Sequence, residues 1–195
     1  MNLERRSANV LLIFSRHMKK SILLASLLFL QCTKENNPID RELHYFDTRG
    51  VIENTISKLS QEKPKVEKLW KYGRAEEKRM VEDMDWEKEL KLFLDIDINK
   101  SSFIGSYDST RAGQMITYSL KSNENLPVKI LSVSQDSSDL EIHAIRTSEN
   151  YFFTTYGDLL LRIKDEKLDS YNIHTVQKLL WFDADTTVVS GKVLY

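Results

Sequence analysis

Cysteine occurs once in these 195 residues, at Cys32. A lone thiol excludes an intramolecular disulfide and every C-x-x-C chemistry, so the fold stands on its apolar core. Long hydrophobic runs are missing as well. The main one, at 21–30, is about half of the roughly 20 residues that a membrane-crossing helix needs. A second apolar stretch at 10–14 is cut off from it by Arg16, His17, Lys19 and Lys20. Joining the two into one span would put charges near the bilayer centre at about 2.5–3.5 kcal/mol each. A basic excess is lacking too: 28 Lys and Arg stand against 29 Asp and Glu. That balance argues against nucleic acid or an anionic membrane face as the main partner. There is no G-x-S-x-G elbow, no phosphate loop of the G-x-x-x-x-G-K type, and no cofactor fingerprint.

What is present begins at Met18. Lys19 and Lys20 lead into the apolar run at 21–30, and Cys32 follows at once. This is the layout of a secretory signal. Ending in the only cysteine, it resembles the signal of a bacterial lipoprotein. In that family the cysteine is lipidated and becomes the new N-terminus. The usual family pattern has Leu three residues before the cysteine and a small residue directly before it; here Phe29 and Gln31 stand in those places. Met18 is the expected true start, because residues 1–17 add a second basic and apolar segment that a signal does not need.

The expected organisation follows. Residues 1–31 are the leader, 32–42 hold the lipidated Cys32 and a polar tether with Asn36, Asn37 and Pro38, and 43–195 form one domain. Residues 32–195 keep 23 of the 28 basic and 28 of the 29 acidic side chains, a net charge of −5. Membrane attachment therefore rests on acyl chains, at about 0.8 kcal/mol per buried methylene.

Within the domain, Asp47 is placed to cap a first helix, with Phe46 and Val51 at staple spacing and Ile52, Ile56 and Leu59 as its apolar stripe. Pro64 ends it. Residues 65–72, Gly73-Arg74 and 75–80 read as strand, turn and weaker strand, with Val66, Trp70 and Tyr72 on one face. A second helix is expected over 85–94, capped by Asp85 and burying Trp86, Leu90 and Phe93. From Gly113 onward the apolar period becomes 2, as in Ile116/Tyr118/Leu120, Leu140/Ile142/Ala144 and Leu159/Leu161/Ile163. Polar breaks at 122–125, 135–139, 148–150, 156–158 and 165–169 divide this part into short strands. Tyr171-x-Ile173-x-Thr175 and Thr187-x-Val189-x-Gly191 lie sixteen residues apart around Asp183-Ala184-Asp185, the spacing of successive meander strands. The fold expected is α+β: a curved antiparallel meander of about seven to nine strands, each near 5–6 residues, with two helices from the N-terminal half packed on it.

Few residues point to chemistry. Asp95-x-Asp97-x-Asn99 opens like a calcium loop, but Lys100 stands where the tight turn needs Gly and Ser106 where the bidentate Glu belongs. The reading is a helix exit that inserts Ile96 and Ile98 and leaves the polar residues in water, with no metal. His143 and His174 fall in strands and can approach each other across the sheet. Tyr151, Phe152, Phe153 and Tyr156 form a possible ligand surface, since neighbours in a strand point to opposite faces and cannot all be core.

The Tyr45-Phe46-Asp47 entry, Asp85-Trp86-Glu87-Lys88-Glu89-Leu90, the Asp97-Ile98-Asn99-Lys100 exit and Tyr171-x-Ile173 resemble small lipoproteins of Gram-negative envelopes with unknown function. The resemblance implies no mechanism. Thr33, in place of the Asp that retains such proteins at the inner membrane, implies the outer membrane. The leading expectation is a non-enzymatic, lipid-anchored envelope protein that binds a protein partner or joins an envelope complex. Two alternatives stand beside it: a carrier of lipid or another apolar ligand, which needs a cavity between sheet and helices, and a hydrolase using His143 or His174 with a nearby Asp.

Overall fold

The computed structural model describes residues 43–195. Cys32, the expected leader and the tether lie outside the described residues. Helix α1 spans Thr48–Glu62, and Asp47 caps it by accepting the Gly50 N–H at 2.9 Å. Gly50 is required for that cap, because a Cβ there would stand 2.2 Å from Asp47 Oδ2. The buried stripe is Thr48, Ile52, Thr55 and Leu59, and Lys63 stops the helix in the left-handed conformation just before Pro64.

The hairpin β1 (Lys65–Tyr72) and β2 (Ala75–Val81) follows, turning at Gly73, whose φ of 57° suits a residue without Cβ. Next come α2 (Trp86–Glu89) and α3 (Lys91–Leu94). The single helix expected over 85–94 is thus two short ones, broken at Leu90. Asp85 caps the first by accepting the Lys88 N–H at 3.1 Å, and Trp86, Leu90 and Phe93 are buried as their spacing requires. A short 3-10 turn at Ser101–Phe103 leads into the strands.

Seven strands complete the chain: β3 (Tyr107–Ala112), β4 (Met115–Leu120), β5 (Val128–Asp136), β6 (Asp139–Glu149), β7 (Phe153–Lys164), β8 (Lys167–Leu179) and β9 (Asp185–Leu194). All pair antiparallel in one nine-stranded sheet of order β2-β1-β9-β8-β7-β6-β5-β4-β3. The architecture is α+β, a curved meander with its helices in the N-terminal half. The echoing triplets pair with each other: Tyr171 faces Gly191, Ile173 faces Val189 and Thr175 faces Thr187. Strands β6 to β9 run 10–13 residues, well beyond the usual length. The expected break at 156–158 does not occur; Asp158 sits mid-strand on the face away from the helices, where a carboxylate is tolerated.

The helices cover one face of the sheet. Val66, Leu131, Ile142, Leu159, Leu161 and Leu168 point from it into Ile52, Leu59, Leu90, Phe93, Ile96 and Ile98, all at 0–1% exposure. The space between sheet and helices is filled. Glu89 of α2 bridges this layer, accepting from Lys68 Nζ and from the Tyr171 hydroxyl, each at 2.6 Å. Among the described residues no helix is long and apolar enough to cross a membrane.

Candidate functional site

Two turns at one end of the sheet carry the most exposed apolar side chains of the domain. Strands β6 and β8 run in the same direction and finish at this end. Between β6 and β7, Asn150 Oδ1 accepts the backbone N–H groups of Phe152 (2.8 Å) and Phe153 (3.0 Å). The side chain closes the turn on itself, an Asx-type device that leaves its successors outside. Tyr151 and Phe152 project at 80% and 67% exposure and meet edge to face at 5.2 Å. Between β8 and β9, Phe182 N–H bonds the Leu179 carbonyl at 3.2 Å. That turn holds Leu180, Trp181 and Phe182 outward at 54–69% exposure. The turns are joined, since Leu180 N–H donates to the Phe152 carbonyl at 3.0 Å.

The four aromatic residues singled out from the sequence do not form one surface. Tyr151 and Phe152 lie at the tip. Phe153 opens β7 on the helical face, opposite Leu179, and Tyr156 lies on the other face, opposite Val176. The strand's period of 2 separates them. Leu180, Trp181 and Phe182 take their place. Their signal was readable as four consecutive apolar residues, 179–182, running into a turn that cannot bury them.

Beside this end, β1 and β2 expose a second aromatic group. Trp70 and Tyr72 stack at 5.9 Å with an interplanar angle of 18°. They share the helical face with Val66, as the pattern required, but extend past the helices and remain 38% and 44% exposed. A shallow groove of about 280 Å³ lies there, lined by Lys68, Trp70, Glu77 and Arg79. The Tyr72 hydroxyl is hydrogen-bonded to Asp185, and that carboxylate pushes the phenol pKa up.

The face away from the helices is polar. Its groove of about 450 Å³ is lined in part by Glu67, Lys78, Arg162, Asn172 and Lys192. The three cations are already matched: Lys78 to Glu67 at 2.8 Å, Arg162 to Glu141 at 2.7 Å, and Lys192 to Asp169. The last pair draws the Asp169 carboxyl below the usual range. His143 Nε2 meets Asp158 Oδ1 at 2.8 Å, and His174 stands across from Asp158 on β8. His143 is thus in contact with this carboxylate, while His174 shares only its register position. Ser132 lies across from His143 but shares its hydroxyl with Thr117 at 3.1 Å. The β6 ladders to β5 and β7 occupy the backbone N–H groups beside this pair, the type of donor that an oxyanion site would need.

The Asp95-x-Asp97-x-Asn99 segment departs from its expected exposure. Ile96 and Ile98 insert as read, but Asp97 is buried too, accepting the Asn99 N–H at 2.9 Å. Asn99 clasps the domain entry. Its Oδ1 accepts from His44 N–H (3.1 Å) and Tyr45 N–H (2.9 Å), and its Nδ2 donates to the carbonyls of Tyr45 (3.3 Å) and Phe46 (3.0 Å). Among the described residues, no three His, Cys, Asp or Glu side chains converge as a metal site. No protein-family model, no curated protein and no solved structure matches the chain.

Proposed function

We propose that this chain is a non-enzymatic lipoprotein of the cell envelope, anchored at the outer membrane through Cys32, that docks a protein partner with the groove beside Trp70 and Tyr72. The stacked, exposed pair carries the reading. Trp, Tyr and Arg are the residue types that dominate binding energy at protein interfaces, and Arg79 lies in the same groove. Lys68, Glu77 and Arg79 give it a rim of both charge signs, which favours a mixed protein surface over an apolar ligand. The filled core supports partner binding over the carrier, because a carried lipid needs volume between sheet and helices and buried side chains occupy it. The exposed His143–Asp158 pair on a sheet face supports no particular hydrolysis.

Photo-crosslinking tests this. A photoreactive residue at position 70, in intact envelopes, gives one discrete adduct that Arg79→Glu and Tyr72→Ala reduce at least tenfold. The same residue at Glu53 on α1 gives none. Equal labelling from both positions overturns the assignment. Radiolabelled palmitate enters the wild-type chain and not Cys32→Ala; label in neither overturns the anchor.

A further inference from the structure

The sheet ends at β2 on one side and at β3 on the other. Six of the seven residues of β2 are exposed. In an antiparallel ladder, alternate residues of an edge strand turn their N–H and C=O away from their one neighbour, ready for a further strand. Charges on an edge keep unmatched strands away. Along β2 they run as two acids and then two bases, Glu76, Glu77, Lys78 and Arg79. Two copies pairing antiparallel along β2 are related by a two-fold axis normal to the sheet, so opposed side chains share a face. With the axis beside Lys78, all seven residues pair. Glu77 of each copy then stands opposite Arg79 of the other, on the face that holds Trp70, and Ala75 stands opposite Val81. On the reverse face Met80, 49% exposed, stands opposite Glu76. Lys78 meets its own copy at the axis, but Glu67 on β1 already neutralises it at 2.8 Å. An axis beside Glu77 pairs only five residues, 75–79, and sets that acid against itself. Strand β3 lacks such a match: its charged residues, Asp108 and Arg111, project to opposite faces and cannot stand opposed.

We infer that β2 is the edge at which two copies of this chain pair, joining their nine-stranded sheets into one continuous sheet. Charge order selects the occupant. A strand lacking that order sets like charges against Glu77 or Arg79, whereas a second copy meets each with the opposite sign. A seam one strand deep is a small interface, so the copies associate reversibly and do not form an obligate dimer. Pairing places the two Trp70–Tyr72 grooves on either side of the axis, on one face of the joined sheet. The inference does not depend on what the groove binds, nor on the anchor at Cys32.

The experiment uses the purified full chain with a photoreactive residue at position 80, mixed with a second preparation that carries a different tag. Irradiation gives an adduct of twice the chain mass that holds both tags. Glu77→Arg alone and Arg79→Glu alone each lower this adduct about tenfold, because like charges then face each other across the seam. Mixing the two variants restores it, since each offers the sign that the other lacks. That recovery also shows that both variants fold. Absence of the doubled adduct from position 80 overturns the inference. A doubled adduct indifferent to both charge reversals overturns it as well, as does a mixture that recovers nothing. An adduct of another mass in whole cells, with none from the purified chain, overturns it in favour of a different strand on this edge. Crosslinking at position 70 reads the groove separately, so either result stands without the other.

Discussion

The ring of Tyr171 lies across Gly191, so closely that a Cβ on Gly191 would stand 2.2 Å from the ring's Cε1. The two residues face each other on β8 and β9, and the ring continues inward to donate to Glu89 of α2. The missing side chain at 191 is therefore the notch that lets a buried tyrosine reach the helical layer. Gly191→Ala must push the ring off the sheet and break its bond to Glu89. Overpacking of this kind costs about 1–3 kcal/mol, and the strained hydrogen bond adds to it. Urea denaturation should show a lower midpoint with an unchanged slope.

Tyr171 also sets how the fold meets alkali. Burial, aided by the Glu89 carboxylate, raises its pKa far above the ordinary tyrosine value of about 10. Burial acts likewise on Tyr107, whose hydroxyl bonds the Val128 carbonyl at 2.9 Å. A raised pKa in the fold means that the unfolded chain loses these protons first. Their stabilising contribution is complete below pH 10 and declines as pH climbs above it. Stability measured from pH 9 to 12 should fall, and Tyr171→Phe should flatten the fall while lowering stability at neutral pH by about 1.5–3 kcal/mol, the range for a hydrogen bond to a charged group.

How far the fold was legible depends on where its information lies along the chain. Alternation in 116–120, 140–144 and 159–163 marks β4, β6 and β7 because each strand has one buried face. The echo around Tyr171 and Thr187 marks β8 and β9 as strands but not their register: the turn covers 180–184, and Asp185, read as part of the turn, already belongs to β9. Strand β3 was invisible: in YDSTRA only Tyr107 is buried, so an edge strand shows no period. The pairing of β1 with β9 joins residues more than a hundred apart and leaves no local trace. Aromatic character at Tyr151 and Phe152 was readable, but the joining of their turn to Leu180 and Trp181 required knowing that two turns share an end.

The Asn99 clasp yields a sharp test, because both polar atoms of its amide are used. Asn99→Asp keeps the acceptor toward the N–H groups of His44 and Tyr45 but turns an oxygen toward the carbonyls of Tyr45 and Phe46. Asn99→Ala removes all four contacts. The four contacts are half-buried or exposed, and each such hydrogen bond contributes about 0.5–1.5 kcal/mol, so a loss of about 1–3 kcal/mol is expected from either change. Hydrogen exchange should quicken at Tyr45 and Phe46 well before it does so in β7. Uniform acceleration across the domain would show that the entry is not a separate clasp.

Gly50 and Asp47 are coupled in a way that reverses a usual rule. Replacing glycine by alanine within a helix stabilises by about 1 kcal/mol, so Gly50→Ala in α1 should help. Here the new Cβ would lie 2.2 Å from Asp47 Oδ2 and displace the carboxylate that caps the helix. Loss of such a cap costs about 1 kcal/mol, which cancels the gain. In the Asp47→Ala background the conflict is gone, and Gly50→Ala should then stabilise by its full helix-forming preference. A double-mutant cycle read by thermal denaturation should give a coupling of about 1 kcal/mol between the two positions. Additive effects would mean that the cap moves aside without loss and that glycine at 50 has no structural reason.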